Sequence, residues 1–188
     1  MFTWPDSNRY VGNWEADKKS GQGVYWWNNG NRYEGLWKND VREGYGVYTW
    51  ANGDQFEGDW VNNMKTGQGS LVQVNGNKYE GTWKEGKYHN KGVQSLANGD
   101  LYTGTWLNGM RSGMGKLLLS NGNRYEGDYL DDKRTGKGSY GWINGNRYEG
   151  DFKDGFRTGK GSFVWINGDR YEGDFVNDKR TGKAIIVW

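Results

Sequence analysis

Large aromatic residues and glycines alternate with polar residues along the whole chain, and the pattern returns every 23 residues. The copy from Tyr125 to Arg147, YEGDYLDDKRTGKGSYGWINGNR, shows it most cleanly. Units begin at Tyr10, Tyr33, Phe56, Tyr79, Tyr102, Tyr125, Tyr148 and Tyr171 without insertion or deletion. Residues 1–9 read as the back end of a preceding partial unit, because Phe2, Trp4 and Arg9 stand one period before Tyr25, Trp27 and Arg32. A fixed period of this length is the mark of a solenoid or array. Residues 1–188 are therefore read as a single repeat array, and the start of the chain in mid-unit suggests an excised piece of a longer one.

Positions are numbered from the first aromatic of each unit. Position 1 is aromatic and position 3 glycine throughout, and position 5 is Trp14, Trp37, Trp60, Trp83, Trp106, Tyr129, Phe152 or Phe175. The second half repeats the alternation at positions 12, 14, 16 and 18, which are Gly136, Gly138, Tyr140 and Trp142 in the clearest copy. Alternation with period two predicts strands with one covered face, two per unit. With one strand near Phe2 and two in the last unit, seventeen strands are expected. Residues opposite one another in a ladder share a face. Parity therefore predicts pairing of position 1 with 16, 3 with 14 and 5 with 12 inside a unit, across a six-residue loop such as 130–135. Between units the Asn-Gly pair marks a tight turn. Parity selects a three-residue loop, for example Ile143-Asn144-Gly145 with a left-handed glycine, so that position 16 meets position 1 of the next unit.

This register makes one row of rings, one row of glycines and one row alternating between the two. A glycine inside a strand costs about 0.5–1 kcal/mol against alanine, so a whole row of them needs a reason. The reason inferred is room: rings lean over the glycines, and the bare row forms a trough. The middle units depart from the pattern, with Asn90 in place of a glycine and Gln73, Gln94, Leu71, Leu96, Leu117 and Leu119 in place of rings. A local bend or change of twist is expected at Asn90.

Composition narrows the function. Apolar residues make up only 34% of the chain, yet it holds 12 Trp and 13 Tyr. Such a chain covers a thin sheet rather than filling a thick core. A net charge of +2 gives no footing for nucleic acid. Without cysteine, and with His89 the lone histidine, no metal ligand set, cofactor motif or catalytic motif is legible. No apolar run is long enough for a spanning helix. Position 10 carries Lys19, Arg42, Lys65, Arg111, Arg134, Arg157 or Arg180, a line of cations expected in the loops along one edge.

The YEGLW, FEGDW and YEGTW starts at Tyr33, Phe56 and Tyr79, each followed by Gly-x-Gly, an aromatic and Asn-Gly, resemble the MORN (membrane occupation and recognition nexus) repeat. The resemblance implies an all-β, elongated, single-layer antiparallel sheet of tandem hairpins. It also implies a non-catalytic scaffold within cytoskeletal, ciliary or membrane-associated assemblies, intracellular and either cytoplasmic or peripheral to a membrane. On this reading an extended peptide or helix of a partner protein enters a groove built from Tyr25, Trp27, Tyr48, Trp50, Tyr140, Trp142, Phe163, Trp165, Gly138 and Gly161. Trp14, Trp37, Trp60, Trp83 and Trp106 are then structural rings. The alternatives are anionic phospholipid attachment through the position-10 cations and a carbohydrate-binding array of stacked rings. Pairing of terminal strands, with residues 184–188 at the contact, would give a homodimer.

Overall fold

The computed structural model describes residues 1–187; Trp188, the last residue of the expected self-association segment, lies outside the described residues. The described chain is all β, with seventeen strands, and divides into two compact units, Met1–Ala97 and Asn98–Trp188. The first holds β1 (Phe2–Thr3), β2 (Arg9–Glu15), β3 (Lys18–Trp26), β4 (Arg32–Lys38), β5 (Val41–Thr49), β6 (Gln55–Val61), β7 (Met64–Val72), β8 (Lys78–Lys84) and β9 (Lys87–Ser95). The second holds β10 (Leu101–Leu107), β11 (Met110–Leu118), β12 (Arg124–Leu130), β13 (Lys133–Gly141), β14 (Arg147–Lys153), β15 (Phe156–Val164), β16 (Arg170–Val176) and β17 (Lys179–Val187). Within each unit every strand pairs antiparallel with the next in the chain, giving an open sheet of consecutive hairpins.

The turn between repeats has the expected register. Tyr140 lies opposite Tyr148, the Trp142 amide donates to the Asn146 carbonyl at 3.0 Å, and Gly145 takes φ of 90°. The turn within each repeat differs from expectation. Tyr125 meets Tyr140 and Gly127 meets Gly138, but Asp128 then meets Thr135 and Tyr129 meets Arg134. The six-residue loop is thus a continued ladder closed by a two-residue turn. Asp131 and Asp132 have φ of 47° and 67°, as the type I′ hairpin turn requires. The two residues left over, Gly136 and Lys137, form a bulge. Position 12 faces position 5 only across the next strand pair, as in Gly136 against Phe152.

This bulge also explains position 12. Gly136 has φ of 55° there, and Asn90, its counterpart, has φ of 50°. Asparagine is one of the few side chains that visits the left-handed region routinely. Asn90 therefore satisfies the backbone of the bulge with the left-handed conformation that glycine takes in the other repeats.

The core is a double row of rings on one face. All eight position-1 rings are buried, as are the position-5 rings from Trp37 to Phe175; Trp14 stays 44% exposed. Tyr10, Tyr33, Phe56, Tyr102, Tyr125 and Tyr148 each meet two position-5 rings edge to face, as Tyr125 meets Tyr129 at 5.3 Å and Phe152 at 5.1 Å. Such pairs contribute about 0.5–1.5 kcal/mol beyond the area they bury. The Tyr125 hydroxyl donates to the Asp128 carbonyl at 3.0 Å, at the step where the bulge shifts the ladder. Tyr10, Tyr33, Tyr79, Tyr102, Tyr148 and Tyr171 make the same bond.

Candidate functional site

The tyrosine that reaches the bulge crosses the glycine row. A Cβ placed on Gly138 would lie 2.6 Å from the Tyr125 hydroxyl oxygen, and one on Gly161 would lie 2.5 Å from Tyr148 Cε2. The trough expected at Gly138 and Gly161 is therefore filled on the ring face by the protein's own side chains. Ala184 puts a methyl into that row, and the pairing gives way beside it. In the hairpin of β16 and β17 the ladder passes from Glu172–Ile185 to Asp174–Thr181 and omits the Gly173–Ala184 pair.

A second row of rings lies beside the filled one and is only half-buried: Tyr25, Trp27, Tyr48 and Trp50 in the first unit, Tyr140, Trp142, Phe163 and Trp165 in the second. In the first unit it runs Trp4, Tyr25, Trp27, Tyr48, Trp50, with successive centroids 5.4, 4.6, 5.4 and 4.8 Å apart. In the second it runs Tyr140, Trp142, Phe163, Trp165 at 4.6, 5.2 and 4.8 Å. The structure thus brings the expected partner-facing rings together as one stripe per unit. Trp37, Trp60 and Trp83 are tied down instead, their indole N–H groups donating to the carbonyls of Gly23, Gly46 and Gly69 at 3.2, 3.1 and 3.1 Å.

The position-10 cations sit in strands rather than in loops, because the two-residue turn draws them into the ladder opposite position 5. Their heads lie over rings: Arg42 is 4.4 Å from the Trp60 centroid and 5.1 Å from that of Tyr48, and Lys65 is 4.4 Å from that of Trp83. Arg111, Arg134, Arg157 and Arg180 do the same in the second unit. Many are also held by position 8 of the following repeat. Lys19 pairs with Asp40 at 3.0 Å, Arg111 with Asp132 at 3.1 Å and Arg157 with Asp178 at 2.9 Å. Arg42 donates to the Asn63 side chain and carbonyl, and Arg134 to the Gly155 carbonyl at 2.7 Å.

Two ladders of Asn and Asp side chains, missed in the sequence, stitch the repeats together at the turns. At position 8 the Asp40 carboxylate accepts from the Lys19 amide at 2.9 Å and Asp132 from Arg111 at 3.0 Å. At position 22, Asn31, Asp54, Asn77, Asp100, Asn123 and Asn146 each accept from a backbone amide one repeat later at 2.8–3.0 Å. These bonds hold the carboxyls of Asp40, Asp54 and Asp100 below the ordinary range. For Asp178, burial pushes the other way, and the backbone and side chain of Arg157 outweigh it. The recurrence of Asn or Asp at positions 8 and 22 is the signal that would have found both ladders.

The polar face of the second unit carries a groove of about 970 Å³ along the bare glycine backbone, with Glu126, Glu149 and Glu172 on one side and Lys137, Lys160 and Lys183 on the other. Two of its lysines are compensated across strands, Lys137 by Asp151 at 2.6 Å and Lys160 by Asp174 at 2.8 Å. No group of three or more metal-ligating side chains occurs among the described residues.

The family model of the MORN repeat matches residues 10–32, 33–55, 56–78, 79–101, 102–124, 125–147, 148–170 and 171–188. No curated protein matches the chain. Among solved structures, the SAS-4 TCP domain of Drosophila melanogaster, in complex with a proline-rich motif of Ana2, is similar at 14% identity with a TM-score of 0.52. That match covers 92% of this chain and 93% of the other. The wild-type TCP10 domain of Danio rerio CPAP, in complex with a STIL peptide, matches at 14% identity over 88% and 89% of the chains with a TM-score of 0.34. The first likeness is one of fold; the second is too loose to carry an argument.

Proposed function

This chain belongs to the MORN repeat family, and from that premise we propose that it is a non-catalytic scaffold that holds an extended segment of a partner protein on its half-buried ring stripes. The observation that carries this reading is the division of labour among the rings. The position-1 rings and the position-5 rings from Trp37 to Phe175 are buried and complete the core, while the stripes at positions 16 and 18 stay part-exposed. Aromatic rings with one face open supply large contact area at small cost in conformational freedom, and they are enriched where proteins meet. The SAS-4 TCP domain, whose fold is similar, was solved with a peptide of its partner.

The test is a crosslinking pull-down with the whole chain and two double variants, Trp27→Ala with Trp50→Ala and Trp142→Ala with Trp165→Ala. A partner retained by the unaltered chain and lost from a variant that still melts cooperatively supports the reading. Retention by both variants, with loss on Glu149→Lys, would move the site to the polar groove and overturn it. Self-association is a separate reading, favoured by the exposed Ile185, Ile186 and Val187 of β17. It predicts a concentration-dependent rise in sedimentation coefficient that Ile185→Lys abolishes. Family resemblance extends the scaffold reading to cytoskeletal, ciliary or membrane-associated assemblies.

A further inference from the structure

Lys65 is a position-10 cation that meets neither a carboxylate nor a side-chain acceptor in the following repeat. Lys19, Arg111 and Arg157 are paired by an aspartate at position 8 of the following repeat, but Lys65 meets Gly86 there, bonded only through the Lys65 carbonyl. No ion pair or side-chain hydrogen bond holds its ammonium among the described residues. It sits instead among rings, 4.4 Å from the centroid of Trp83, 5.3 Å from Phe56 and 5.4 Å from Trp50. Burial first, and then repulsion from Arg42, lower its pKa. Arg42 is itself held by the neutral Asn63 rather than by a carboxylate. Two cations without anionic partners thus lie behind Trp27 and Trp50, beside a hollow of about 390 Å³ lined by Asn31, Trp50, Asn52, Asp54, Lys65 and Gln73. The Asp54 carboxylate on its rim is engaged by the Val74 amide at 2.9 Å.

We infer that the first unit binds a proline-rich, acidic peptide in the polyproline II conformation. Prolines would lie on Trp27 and Trp50, and a peptide carboxylate would reach Lys65 and Arg42. The inference rests on the scaffold reading above and names the chemistry of its partner. Pitch is the first argument. Tryptophans at position 18 recur once per repeat, every two strands, which is ~9.6 Å at ordinary strand spacing. A polyproline II helix brings the same face round every three residues, ~9.3 Å. A Pro-x-x-Pro segment running across the strands therefore keeps step with Trp4, Trp27 and Trp50, whereas an extended strand repeats at roughly 6.8 Å and drifts out of step. Such peptides recurrently dock on exposed aromatic ridges because they are already ordered before binding. Charge is the second argument: a carboxylate supplies the anion that Gly86 fails to provide, in a place where burial strengthens the pairing.

The experiment titrates the whole chain by calorimetry with a synthetic peptide of four Pro-Pro-Glu triplets, and monitors the indole N–H signals of Trp27 and Trp50 by NMR. Controls are Pro-Pro-Gln and Gly-Ser-Glu peptides of the same length and the variant Lys65→Met, which keeps the unbranched stem over the rings. Expected are saturable binding of the Pro-Pro-Glu peptide with shifts at both indoles, and affinities weaker by about tenfold or more for Lys65→Met and for Pro-Pro-Gln. The Gly-Ser-Glu peptide should not shift the indoles. Should Lys65→Met unfold, the Pro-Pro-Gln comparison reads the same interaction without touching the protein. No binding, equal binding of Pro-Pro-Glu and Gly-Ser-Glu, or binding indifferent to both charge removals would overturn the inference. If the peptide fails while a partner is still lost on Trp27→Ala with Trp50→Ala, the scaffold reading stands and this inference alone falls.

Discussion

At the scale of single residues, the arrangement turns on how each ring disposes of its polar atom. Trp37, Trp60 and Trp83 give their indole hydrogen to a glycine carbonyl of the preceding repeat. Phe152 and Phe175 have no polar atom to satisfy, but Tyr129, at the same position, buries a hydroxyl with no hydrogen-bond partner among the described residues. An orphaned buried hydroxyl costs about 1–3 kcal/mol. Tyr129→Phe should therefore raise the midpoint of thermal unfolding; a lower midpoint would show that the hydroxyl is satisfied. The glycine row gives the opposite sign. A valine at position 161 meets the Tyr148 ring, whose hydroxyl is held on the Asp151 carbonyl at 3.0 Å and whose pKa burial pushes up to about 12. Overpacking costs about 1–3 kcal/mol, so Gly161→Val should lower the urea midpoint, whereas Asp151→Ala on the polar face should change it far less. Equal tolerance of both would mean the ring can swing aside.

At the scale of the hairpin, the bulge makes the repeat more than a pair of strands. It releases the carbonyl that the tyrosine hydroxyl captures, and it turns position 10 onto the rings. Its backbone demands a left-handed residue at position 12, met by Gly21, Gly44, Gly67, Gly113, Gly136, Gly159, Gly182 and Asn90. Asn90→Gly should be neutral or stabilising. Asn90→Val forces a branched side chain into that conformation at a cost of about 1–2 kcal/mol or more, and amide exchange in β8 and β9 should report it. Unchanged exchange in the valine variant would contradict the bulge geometry.

At the scale of the whole molecule, the turn ladders link stability to acid. Asp40, Asp54, Asp100 and Asp178 all have folded pKa values below 3.8, the value ordinary for aspartate. Each therefore binds its proton more readily unfolded than folded, so its stabilisation is complete above pH ~4 and drains away as pH falls through the lower folded value. The melting temperature should hold from neutrality down to about pH 4 and then decline. In Asp54→Asn with Asp100→Asn the amides still accept the same backbone hydrogens, as Asn31 and Asn77 do. The neutral-pH melt should then be nearly unchanged and the acid slope shallower; an unaltered slope would exclude these two groups as its source.

The sequence alone determined the repeat, its phase, the seventeen strands, the three-residue loop between repeats and the two rings that form the core. These rest on periodicity and parity, which are local properties of a chain whose neighbours in space are also its neighbours in sequence. Only the tertiary structure decided the rest. Asp131 and Asp132 could be read as loop residues until the bulge at Gly136 and Lys137 showed how two residues leave the ladder without breaking parity elsewhere. The glycine row looked like empty space because a sequence gives no ring direction; Tyr125 bends over Gly127 and Gly138 to reach a carbonyl that exists as a free acceptor only at the bulge. Likewise Lys65 is one of seven similar cations in the sequence. Its unmatched charge emerges only when position 8 of the following repeat, occupied by Gly86, is folded against it.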